Sequence, residues 1–148
     1  MKTLIFILIV ISFLQSTILP FNLCLIILIC RSHIRSDKYN LYLAFGFGLL
    51  ISHLTLTPLG VYSLVFLILT QSANLLSKTR FTVSSLFVIP VVFLSLLLNN
   101  LITSLIINQP IIIGLQIFIE SGLSLPVFYL VRLWEERYIV RKEIKLRV

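Results

Sequence analysis

The sequence predicts an all-α integral membrane protein, a bundle of about six transmembrane helices, and three observations predict it. Of 148 residues, 59% are hydrophobic and only 11% charged, whereas an ordinary soluble domain is about a quarter charged; the mean hydropathy is +1.11. Apolar runs such as Phe81 to Ile107 approach or exceed the roughly 18 to 20 residues that span hydrocarbon. These runs are apolar on every face, which excludes the alternation of a membrane barrel, and an open sheet would leave backbone groups unpaired in lipid.

Helix breakers and charges divide the chain into apolar blocks at Thr3 to Leu19, Phe21 to Ile34, Leu41 to Leu56, Pro58 to Leu76, Phe81 to Ile107 and Ile111 to Leu133. The first follows Lys2 in the manner of a secretory signal, but no A-x-A-like site ends it, so it reads as a retained helix. The second is the weakest: Phe21 to Cys30 alone would cover only about 15 Å, so this block is short, tilted or re-entrant. Residues 1–133 form the expected transmembrane domain and 134–148 a short basic cytoplasmic tail.

Charge location tests the six-block division independently, because Lys and Arg near helix ends stay on the cytoplasmic side. Lys2 precedes the first block; Arg31, Arg35 and Lys38 fall between the second and third, and Lys78 and Arg80 between the fourth and fifth. Arg132, Arg137, Arg141, Lys142, Lys145 and Arg147 follow the sixth. These are all twelve basic residues, and the intervening turns at Gln15 to Phe21, Thr55 to Pro58 and Asn108 to Pro110 carry no charge. Six crossings with both termini cytoplasmic therefore put every positive charge on one face, a pattern that merging the first two blocks would destroy. The net charge of +7 fits anionic lipid headgroups rather than nucleic acid, since no binding module or stacking motif accompanies it. The tail carries i,i+4 pairs, Arg132 with Glu136 and Glu143 with Arg147, that suit a helix. Its last residues, Glu143 to Val148, alternate as an added edge strand would, but a solvated orientation signal is the favoured reading.

Polar groups at membrane depth are few. Glu120, near the middle of the sixth block, is a functional candidate by its cost alone, as a proton or cation ligand or a contact for another helix; the plainer reading is a carboxyl satisfied within the bundle. His53 reads as a solvated or hydrogen-bonded interfacial residue. Asn99 and Asn100, with Thr103 and Ser104, read as interhelical packing glue, worth about 0.6 kcal/mol on average in membranes. Ser12 with Ser16, and Ala44 with Gly46 and Gly48, are small residues that let helices approach closely. No metal site is expected: Cys24 and Cys30 lack ligand partners at a suitable spacing. No nucleophile with a base, P-loop, dinucleotide fingerprint or carboxylate pair is present, so neither an enzyme nor a cofactor is expected.

The middle of the chain resembles the bacterial rod shape-determining MreD family. The likeness begins at Leu19, Pro20, Phe21, Asn22 and Leu23, where the family places a Pro, a Leu-rich segment and then a basic loop. It is strongest over Ala44 to Ile68, where the family has a glycine-containing helix, an Asp near its end, a Ser-Gly turn and Leu-Gly opening the next helix. Gly48, Leu59 and Gly60 fall in register; Ser52 stands in place of the Asp and Leu56 in place of the turn Gly. The segment SLPVFYLVRLWEERY is similar to the family's Pro-containing last helix and basic tail.

The resemblance implies the six-helix fold of the substrate-binding subunits of energy-coupling-factor transporters. It also implies a binding role in the bacterial cytoplasmic membrane. The chain would partner an MreC-like single-span protein and, through it, help connect MreB-like filaments with wall synthesis by RodA and its transpeptidase. Gly46, Gly48, Pro58, Leu59, Gly60 and the basic tail are the candidate partner contacts or helix-packing positions. The alternative is a small-molecule binding subunit of a transporter, whose cavity would draw on His53, Asn99, Asn100 and Glu120. That would require the third, fifth and sixth helices to meet.

Overall fold

The computed structural model describes residues 2–18, 21–78, 85–108 and 114–145. Leu19, Pro20, Arg80, Phe81, Pro110, Ile111 and Arg147, on which parts of the sequence reading fell, lie outside them. The described chain is all-helical: α1 (Lys2–Thr17), α2 (Leu23–Ile34), α3 (Tyr39–Leu54), α4 (Val61–Ser77), α5 (Val88–Ile107) and α6 (Leu115–Lys145), with a short 3-10 turn at Ser85–Phe87 ahead of α5.

The six apolar blocks correspond to these helices in order, but not in length. Two stretches, Val88–Ile107 and Leu115–Arg137, combine the length and apolarity needed to cross a membrane, whereas the other four helices are apolar but shorter. Turn residues shorten them. Pro58 and Gly60 stay outside α4, which starts only at Val61, and α2 is limited to 12 residues, or about 18 Å. In the other direction α6 runs past the expected boundary at residue 133 for 31 residues in all, with Pro126 inside it. Glu143 to Lys145 are thus helical rather than strand-like.

α2 sits in the middle, contacting all five other helices. Cys24, Leu25, Ile26, Leu28, Ile29 and Cys30 are all buried, so nearly every face of α2 meets protein. A helix apolar all round belongs in such a place. Its first turn is held from α1: the Cys24 backbone N–H donates to Gln15 Oε1 at 3.1 Å, satisfying one of the donors that a helix start leaves free.

α3 and α4 form another close pair. A Cβ on Gly48 would overlap the Ser63 backbone of α4, whereas one on Gly46 would meet nothing within 4 Å. Between these helices the chain reverses through two left-handed residues, Leu56 (φ 54°) and Gly60 (φ 100°).

Apolar side chains lie both inside and outside the bundle, with several polar groups buried among them. Ser12, Asn40, Thr70, Asn99 and Glu120 are buried, while large apolar side chains face outward, among them Phe6, Leu56, Leu105 and Leu115. Only 33% of the Val88–Ile107 window and 28% of that in Leu115–Arg137 is buried. A helix in the core of a soluble protein would be mostly covered, and continuous outward apolar surface of this extent marks contact with lipid or partners.

Candidate functional site

Polar side chains gather at the two opposite ends of the bundle. At the end formed by the C-terminus of α2, the start of α3 and the later part of α6, Arg31 is 2% exposed and Glu135 4%. Arg31 Nε donates to Glu135 Oε1 at 3.0 Å, and its Nη1 donates to Asn40 Oδ1 at 2.7 Å. Asn40 in turn donates through Nδ2 to the Arg35 carbonyl at 2.6 Å. Arg35 extends the cluster outward, with Nη1 at 3.9 Å from Glu135 Oε2 and Nε at 3.2 Å from Asp37. A buried arginine persists where its charge is paired and its donors are used, and both conditions hold here.

The opposite end holds two adjoining cavities. The larger, about 220 Å³, lies between α5 and α6 and is closed by Asn22 and Tyr62; Asn99, Asn100, Thr103, Gln116 and Glu120 contribute its polar lining. The periodicity of two facing helices assembles it. Asn99 and Thr103 are one turn apart on α5, Gln116 and Glu120 one turn apart on α6, so each pair shares a face. Gln116 Nε2 donates to Glu120 Oε1 at 2.9 Å, and Asn22 lines the cavity with them. Glu120 is 2% exposed and Asn99 4%; Asn99 Oδ1 and Thr103 Oγ1 are buried without a hydrogen-bond partner. The smaller cavity, about 150 Å³, shares Asn22 and Tyr62 and is lined also by Ser12, Gln15, Ser16 and Thr55. Gln15 bridges the two by donating to Asn22 Oδ1 at 3.4 Å.

Of the four intramembrane polar candidates, the structure brings Asn99, Asn100 and Glu120 to one cavity and leaves His53 exposed at the end of α3. α4 takes the place expected of α3, through Tyr62. Gly48 serves packing between α3 and α4, Gly46 lies on an open surface, and Pro58, Leu59 and Gly60 form the turn, with Pro58 and Leu59 exposed. Ser52, at the family's Asp position, is wholly buried, with Oγ unpartnered. Asn22, Tyr62 and Gln116 complete the cavity and were not among the sequence candidates, because a residue beside a turn gives no sign of which neighbour it faces.

Among the described residues no group of three or more His, Cys, Asp or Glu could hold a metal ion. The chain matches no protein-family model, no curated protein and no solved structure.

Proposed function

We propose that this chain is a non-enzymatic, multi-pass component of a bacterial cell-elongation machinery, similar to the rod shape-determining MreD family, and binds other membrane proteins to help maintain cell shape. Its membrane location is supported by the large apolar side chains on the outside of the bundle and by the two helices of spanning length. The shorter helices α1, α3 and α4 reach about 24 to 26 Å, a mismatch with a core of about 30 Å that flanking residues and local thinning absorb at modest cost. In the cytoplasmic membrane, the basic ends would face the cytoplasm together with both termini.

The observation that carries the reading is the turn between α3 and α4. The family places a glycine where this chain has Leu56, and Leu56 adopts the left-handed backbone (φ 54°) that glycine favours. A backbone that favours glycine at this position is what a turn glycine there would need.

The feature that supports a binding role is α6. Its 31 residues extend about 46 Å, some 16 Å beyond the hydrocarbon, and its last turns carry Arg137, Arg141, Lys142 and Lys145. Arg31 grips this helix at Glu135, so the projecting segment starts from a fixed base. A basic helical stalk of this kind would suit an MreC-like partner in the membrane and, indirectly, filament and synthase components beyond it.

A second reading, a small-molecule binding subunit of a transporter, is favoured by one observation, the 220 Å³ polar cavity. Purification of the tagged protein from native membranes in mild detergent, followed by mass spectrometry, separates the two. Enrichment of elongation proteins over an unrelated six-helix control supports the first; a transporter ATPase in their place overturns it.

A further inference from the structure

The 220 Å³ cavity contains one carboxyl group, Glu120, and no Lys, Arg or His lines it. The basic residues of the described chain lie toward the other end of the bundle, so an ionised Glu120 carboxylate has no counter-charge among the lining residues. A charge enclosed in this way is costly unless paired. The hydrogen bond that reaches the carboxyl from Gln116 comes from a neutral amide. Across from it, Asn99 Oδ1 and Thr103 Oγ1 are buried and accept nothing, although an amide oxygen denied a donor costs free energy.

An acidic group without a basic partner and two unpartnered oxygens on facing helices therefore line one cavity. A primary ammonium group has the complementary chemistry: one positive charge and three N–H donors. The volume limits what can carry it. A cavity of about 150 Å³ accommodates benzene, so 220 Å³ suits a molecule of roughly six to nine heavy atoms, whereas a bare monovalent metal ion would leave most of the space to water. The adjoining cavity, which shares Asn22 and Tyr62, continues the polar lining along α1 and α3.

We propose that this cavity binds a primary ammonium group, with Glu120 pairing the charge and Asn99 and Thr103 accepting its remaining N–H donors. The group belongs to a free alkylamine or to the ethanolamine headgroup of a lipid; the chemistry is shared. The inference does not rest on the scaffold reading, and its test reads binding rather than partnership.

The full chain is reconstituted in phosphatidylcholine nanodiscs, whose headgroups have no N–H donors, and titrated by calorimetry with aminopentanol. The neutral isostere pentanediol is the comparison, at matched ionic strength. Saturable binding of the amine, absent for the diol, is the expected result. Glu120→Gln should abolish it, and Asn99→Leu should weaken it at least tenfold, the scale of one charge-assisted hydrogen bond. Both variants are first checked for unchanged helicity and elution volume, and either one, if folded, suffices. Repeating the titration in phosphatidylethanolamine nanodiscs identifies the source: a weakened apparent affinity assigns the site to the lipid headgroup, an unchanged one to a free amine. No binding in phosphatidylcholine, equal binding of the diol, or unchanged affinity in a folded Glu120→Gln variant would overturn the proposal.

Discussion

Arg31 and Glu135 stand 104 residues apart in the chain and 3.0 Å apart in the fold, both almost fully buried, where α2 ends against α6. The pair fixes the long last helix to the central short one. Asn40 completes it by taking a second Arg31 donor, so α3 is tied into the same network.

Removing Glu135 leaves Arg31 a buried charge without its carboxylate, and removing Arg31 leaves Glu135 only the more distant Arg35, at 3.9 Å. Arg31→Ala or Glu135→Ala should each destabilise the protein by about 3 to 5 kcal/mol. The apolar double variant, Arg31→Met with Glu135→Leu, should lose clearly less than the sum. Unfolding curves in a fixed detergent, arranged as a double-mutant cycle, measure the coupling; additive losses would mean that the pair is not an energetic unit.

The two helix glycines of α3 should respond in opposite ways. Gly48→Ala forces a methyl against the Ser63 backbone, and overpacking of this kind costs about 1 to 3 kcal/mol. Gly46→Ala meets open space and removes a poor helix former, so it should be neutral or stabilising by up to about 1 kcal/mol. Thermal stability of the two purified variants gives the comparison directly. Equal effects would place the α3–α4 contact elsewhere.

Leu56 sits in a left-handed conformation that costs a residue with a Cβ about 1 to 2 kcal/mol, and its side chain is 93% exposed, so little packing offsets the cost. Leu56→Gly should therefore stabilise the protein by about 1 kcal/mol, while Leu59→Gly, in the same turn without a positive φ, should not. A melting-temperature rise confined to Leu56→Gly is the expected outcome. Stability lost at position 56 would show that the turn is not as described.

Much of this architecture could be read from the residues because apolar runs and their breakers are local properties. The order of six helices followed from them; Asn99, Asn100 and Glu120 stand out as polar groups in apolar runs, but the asparagines read first as packing glue and their meeting with Glu120 was only what the transporter alternative would require. The pairing of Arg31 with Glu135 did not follow. Arg31 reads as a loop charge and Glu135 as a tail charge until α2 and α6 are seen to run on through them. The brevity of α2 was visible, but its position was not: only the packing shows that it lies at the centre, with five neighbours. His53 was grouped with the cavity residues because all four are polar and apolar-flanked, yet which helix closes a cavity depends on the bundle's order in space, and here that helix is α4.

The central claim is a sided bundle whose turns alternate across the membrane, and site-directed labelling tests it most directly. With the buried Cys24 and Cys30 replaced by alanine, single cysteines go to three exposed positions, Ser36→Cys, Leu59→Cys and Arg137→Cys. A membrane-impermeant maleimide is applied to intact spheroplasts and then after permeabilisation. The account predicts labelling of Leu59→Cys from outside and of Ser36→Cys and Arg137→Cys only after permeabilisation. Finding positions 36 and 59 on the same side would contradict it, because α3 would then not cross and α5 and α6 alone would span the bilayer.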